Sequence, residues 1–125
     1  LYDLEGKIVV VVDILRATSV MVTAMAHGAS EIIPVATLEE ARSYQQKGYL
    51  CAAERGGAPV EGFPLDNSPF SYMNDDIKGK PIVITTTNGT LAITRSTAAD
   101  KVLVGAFLNI KALANYIRRC ERYPV

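Results

Sequence analysis

The 125-residue chain is long enough for one domain with a real core, and 49% hydrophobic against 21% charged residues places it among ordinary globular proteins. Thirteen basic residues balance thirteen acidic ones and no basic run occurs, which argues against nucleic acid as a partner. The longest apolar run, Ile8 to Val12, falls far short of the roughly 20 residues of a membrane span, and no basic segment leads into an apolar one with a cleavage site, so a cytoplasmic protein is expected.

In chain order, a polar lead-in over Leu1 to Gly6 precedes a first strand over Lys7 to Asp13, whose valine-rich run predicts burial on both faces and delivers a carboxylate at its end. Ala17 to Ala26 is an almost wholly apolar helix that must pack on the sheet, ended by Gly28. Glu31 to Val35 is a short second strand. Thr37-Leu38-Glu39-Glu40 then reads as a capping box, opening a helix that runs to about Lys47 and stops at Gly48. A third strand, Tyr49 to Ala53, ends in Glu54.

From Arg55 to Asp76, glycines and prolines interrupt any period, which predicts a long loop; Phe63, Leu65, Phe70, Tyr72 and Met73 argue that it packs. Lys78 to Lys80 is a turn, Pro81 to Thr86 a fourth strand, Asn88 to about Thr97 a helix, Lys101 to Gly105 a fifth strand, and Asn109 to Arg122 a closing helix. Leu1 is not an initiator methionine and the helical pattern stops at Tyr123-Pro124-Val125, so this single domain is expected to be the N-terminal part of a longer chain. Cys51 and Cys120 have no CxxC or Cys/His spacing and are read as buried reduced thiols.

Strands alternating with helices predict a three-layer α/β/α fold on a largely parallel sheet, because crossovers of this length make right-handed βαβ units. The carboxyl ends of all strands then share one edge, where open α/β sheets bind ligands. That edge gathers Asp13, Glu54, Thr85, Thr86, Thr87 and the helix start Asn88-Gly89-Thr90. Hydroxyls and free backbone N–H groups at a helix start suit an anion, although a plain N-cap accounts for any one of them. The Gly-Lys-Ser/Thr ending of a P-loop is missing. Asp13 and Glu54 are hard oxygen ligands of the kind that hold Mg²⁺; the alternative is that each pairs with Arg16 or Arg55, whose forked donors otherwise suit phosphate, sulfonate or carboxylate. His27, the sole histidine, is read as structural. The aspartyl phosphatases of the HAD type place a second aspartate two residues after the first; here that position is Leu15, so their proton donor is missing.

Five blocks in order, Val11 to Ser19, Ile33 to Thr37, Glu54 to Gly57, Glu61 to Pro69 and Thr85 to Thr90, resemble the 2-phosphosulfolactate phosphatases from Lys7 to Ala114. The resemblance implies a Mg²⁺-dependent phosphatase that releases phosphate from (R)-2-phospho-3-sulfolactate and leaves 3-sulfolactate, on a route to coenzyme M or related sulfonates. It would give Asp13 and Glu54 to the metal and its water, and Arg16 and Arg55 to the anionic substrate. Thr86, Thr87, Asn88, Gly89 and Thr90 would hold the phosphate, and Asn67 and Ser68 would line the pocket, with further ligands from residues beyond this chain. A phosphatase of another small anionic phosphoester and a non-catalytic anion-binding domain are the alternatives, and a homo-oligomer is left open.

Overall fold

A computed structural model describes residues 3–120. The chain alternates as expected: β1 (Ile8–Val12), α1 (Ala17–Ala26), β2 (Glu31–Pro34), α2 (Leu38–Gln46), β3 (Leu50–Arg55), β4 (Ala58–Pro59), β5 (Pro81–Thr85), α3 (Gly89–Arg95), β6 (Lys101–Gly105) and α4 (Ile110–Arg119). The closing helix ends at Arg119 with Cys120 as its C-cap; the expected extension to Arg122 lies outside the described residues, as do Leu1 and Tyr2 of the lead-in. No helix among the described residues is long and apolar enough to cross a membrane.

The strands form two ladders. β1 pairs with β6 in parallel, and β5 lies between β2 and β3, again in parallel, with β4 antiparallel on the outer side of β3. Helices pack on both faces of the larger ladder, and the alternation along β5 shows how. Ile82 and Ile84 face a cluster with Val20, Met21 and Ala24 of α1, while Val83 faces the opposite cluster with Ala41 of α2 and Cys51 of β3. Each fully buried Ile or Val contributes about 1.5–3 kcal/mol relative to exposure. β1 departs from its expected burial: Ile8 and Val11 are buried, but Val12 is 58% exposed. It pairs only with β6 among the described residues, so its end is more open than the apolar run predicts.

Local signals explain the element ends. The Thr37 hydroxyl accepts from Glu40 N–H at 3.1 Å, and the Glu40 carboxylate reaches back to Ala36 N–H at 3.2 Å, one residue before the N-cap. The expected long loop carries more structure than predicted. It opens with a β3–β4 hairpin and continues through two 3₁₀ turns, Pro69–Tyr72 and Asp75–Ile77, with Tyr72 and Ile77 fully buried under α1. The Tyr72 hydroxyl donates to Asp66 C=O at 2.6 Å, and the Asp66 carboxylate accepts from Ser68 N–H and Ser71 O–H. Burial and the Asp66 charge push the Tyr72 phenol above its usual value. Cys51 is buried, and burial pushes its thiol up; Cys120, the C-cap of α4, is only half-buried.

Candidate active site

β1 and β3 belong to different ladders, yet their carboxyl ends meet at a polar cavity of about 170 Å³. Asp13, Arg16, Glu54, Asn67, Thr87 and Asn88 line it, together with Leu15, Gly56 and Gly57. A larger cavity of about 430 Å³ lies between α1, β2, α3 and β6, but Asn109 is its one polar lining residue, so it offers no charge to orient an anion.

Asp13 follows the last residue of β1, and its carboxylate accepts no hydrogen bond among the described residues. Its backbone is held instead: Asp13 N–H donates to the Thr18 hydroxyl at 2.9 Å, and Thr18 N–H donates to Asp13 C=O at 3.0 Å. This reciprocal pair turns the chain from β1 into α1 while leaving the carboxylate in the cavity. Gly89 makes room beside it. A Cβ there would lie 2.4 Å from the Ala17 Cβ and 3.0 Å from Asp13 Oδ2, so only glycine lets the start of α3 rest on the start of α1.

Glu54 lies within β3, two residues before the Gly56-Gly57 turn, and is buried. Its Oε1 accepts from Gly57 N–H at 2.5 Å and from the Thr87 hydroxyl at 2.9 Å; its Oε2 accepts from Thr87 N–H at 3.1 Å. Burial acts to raise its pKa, but these three donors and the nearby Arg55 charge outweigh it and hold the carboxyl below the usual range. Of about four acceptor sites on a carboxylate, one remains, on Oε2.

The two arginines do different things. Arg16 Nη2 donates to Gly57 C=O at 3.1 Å and lines the cavity. Arg55 turns away from it, donating to Glu54 C=O at 2.6 Å, to the Thr85 hydroxyl at 2.8 Å and to Ala36 C=O at 3.5 Å. Neither forms an ion pair with Asp13 or Glu54; among the described residues, the one ion pair is Lys78–Asp75.

The predicted phosphate cradle is divided. Thr86 and Thr90 are buried and bond each other: Thr86 N–H donates to the Thr90 hydroxyl at 2.9 Å, Thr90 N–H donates to the Thr86 hydroxyl at 3.1 Å, and the Thr90 hydroxyl donates to Thr86 C=O at 3.0 Å. They brace the β5–α3 turn from behind. Thr87 and Asn88 are exposed at the cavity, and Gly89 sits beneath them. Asn67 also reaches the cavity; its Oδ1 is buried with no hydrogen-bond partner. Ser68, whose N–H donates to Asp66, is not in the lining, and His27 caps α1 on the surface.

Thus the cavity brings together Asp13, Arg16, Glu54, Asn67, Thr87 and Asn88, and leaves Arg55, Ser68, Thr86, Gly89 and Thr90 behind it. Sequence reasoning missed the Gly56-Gly57 turn as a part of the wall. The signal was present: two glycines between strand patterns mark a two-residue hairpin, and here Gly56 and Gly57 have φ of +59° and +86°, a type I′ turn.

The donor set suits a hard divalent cation. Mg²⁺ takes one or two carboxylates and completes its shell with water and substrate phosphate. Among the described residues no group of three or more His, Cys, Asp or Glu side chains could hold a metal; the oxygens of the right kind are the unbonded Asp13 carboxylate, the remaining site on Glu54 Oε2 and the unpartnered Asn67 Oδ1.

A family model described as 2-phosphosulpholactate phosphatase matches residues 2–125. The chain is 45% identical over 127 residues to a probable 2-phosphosulfolactate phosphatase of Caldanaerobacter subterraneus subsp. tengcongensis, covering 98% of this chain and 53% of that relative. It is 46% identical over 118 residues to one so named from Caldicellulosiruptor saccharolyticus (93% and 49%), and 44% identical over 117 residues to one from Thermotoga maritima (94% and 51%). The chain spans about half the length of the curated relatives it matches.

Proposed function

The chain belongs to the 2-phosphosulpholactate phosphatase family, and on that premise we propose that it forms part of a Mg²⁺-dependent phosphatase hydrolysing (R)-2-phospho-3-sulfolactate to 3-sulfolactate and phosphate. The observation that carries this reading is the cavity itself: an unbonded strand-end carboxylate, Asp13, and an arginine, Arg16, line one small polar cavity. The same reading puts the product on a route to coenzyme M or related sulfonates in the cytoplasm.

Mg²⁺ would be held by Asp13, with the remaining Glu54 Oε2 site and Asn67 Oδ1 as further oxygens. When bound, the ion neutralises charge on the phosphoryl group. Arg16 has one donor occupied by Gly57 and the rest of its fork available to anionic oxygens, where it stabilises charge on the phosphoryl group as it transfers. Asn88 lines the wall and orients the substrate, while Thr87, whose hydroxyl and N–H both donate to Glu54, holds that carboxylate in place. Water attacks phosphorus in line as the bond to the C2 oxygen breaks; its protons end on the released phosphate and the new hydroxyl of 3-sulfolactate.

The test is phosphate release by the full-length protein from phosphosulfolactate, phospholactate and phosphoglycolate, each with and without Mg²⁺. A site built to pair the sulfonate prefers the first by at least ~10²-fold in kcat/KM. Equal turnover of all three would replace this substrate with a broader class of small phosphoesters.

A further inference from the structure

We propose that Glu54 is a positioning residue for Arg16, acting through the Gly56-Gly57 turn; the kinetic consequence rests on the phosphatase reading above, and the structural one does not. Arg16 enters from the β1–α1 connection and Glu54 from β3, in ladders that share no strand pairing. The link between them is one residue, Gly57. Gly57 N–H donates to Glu54 Oε1 at 2.5 Å, and Gly57 C=O accepts from Arg16 Nη2 at 3.1 Å.

Thr87 closes the arrangement from a third connection. Its hydroxyl accepts from Gly56 N–H at 2.9 Å while donating to Glu54 Oε1, and its N–H donates to Glu54 Oε2. Both amides of the turn are therefore fixed, one by Glu54 and one through Thr87, and with them the position of Gly57, whose carbonyl accepts from Arg16. A two-glycine turn with exposed residues has no side chain of its own to hold it in place. The three donors that converge on Glu54 require an acceptor at both oxygens, which a carboxylate supplies and a carboxamide does not. A Gln at this position turns an NH₂ group toward an N–H or O–H donor, releases the turn, and with it the acceptor that orders the guanidinium.

The experiment reads Arg16 directly. In the metal-free, full-length protein, ¹⁵N relaxation of the Arg16 Nε–H is compared between wild type, Glu54→Gln and Thr87→Val. Wild type should give an ordered signal, and Glu54→Gln should drop its order parameter below about 0.6, the flexible range. Thr87→Val removes the hydroxyl at the exposed end of the relay and should loosen Arg16 in the same direction, so it carries the test should Glu54→Gln not fold. An Arg16 signal unchanged in the folded variant overturns the proposal. In turnover, Arg16→Ala and Thr87→Val should each raise KM for the phosphoester by on the order of tenfold, and the double variant should match Arg16→Ala alone. Multiplying KM effects would overturn the relay. A wild-type protein that releases no phosphate refutes the phosphatase reading instead, while the Arg16 order measurement still decides the relay.

Discussion

Gly89 is laid against Asp13 so closely that a Cβ on it would stand 3.0 Å from Asp13 Oδ2 and 2.4 Å from the Ala17 Cβ. Ala17 is fully buried, so its Cβ belongs to packed backbone rather than to the end of a flexible side chain. Gly89→Ala is therefore expected to push α3 off α1 and to disturb Asp13, with a loss of about 1–3 kcal/mol from overpacking. Urea unfolding of the full-length protein measures the loss, and a stability within error of wild type would show that the contact relaxes freely.

Thr90 tests the brace behind the site. It accepts from Thr86 N–H and donates to Thr86 C=O, both away from water. Thr90→Val keeps the shape and removes both partners, leaving a buried N–H unsatisfied at a cost of about 1–3 kcal/mol. Calorimetric unfolding should show a lower Tm. Little change would mean that the Thr86 amide finds another acceptor.

Much of the fold was legible in residue patterns. The apolar run into Asp13, the Thr37 to Glu40 cap and the strands over 81–85 and 101–105 are set by local periodicity and capping, and they recur in the structure with small shifts at their ends. The meeting of Asp13 with Glu54 was expected from the rule that strands of one parallel sheet put their carboxyl ends on one edge, and it occurs although β1 and β3 lie in different ladders. What a side chain bonds once there was not legible. Thr86 and Thr90 are suitable anion donors by type, but a four-residue spacing lets them satisfy each other. Arg55 is adjacent to Glu54 in sequence, and strand alternation sends it toward Thr85 on β5 rather than into the cavity. The split into two ladders depends on long-range pairing that no local pattern encodes.

Glu54 carries a pH dependence whose sign follows from its depressed pKa. The folded state favours the charged form, so its stabilising contribution is complete above the usual glutamate value of 4.5 and is lost as pH falls through the lower folded-state value. The stability gap between wild type and Glu54→Gln should be widest near neutral pH and should shrink as the solution is taken below about pH 4.5. Urea titrations at a series of pH values measure it. A gap that stays constant would mean that the hydrogen bonds tolerate a protonated carboxyl.

The central claim is that Asp13 is the carboxylate on which turnover depends, and Asp13→Asn in the full-length protein tests it most directly. Its carboxylate accepts no hydrogen bond among the described residues, so the substitution should leave Tm unchanged. Mg²⁺-dependent phosphate release from phosphosulfolactate should fall by at least ~10³-fold. A folded Asp13→Asn protein that releases phosphate at a near wild-type rate would contradict the account.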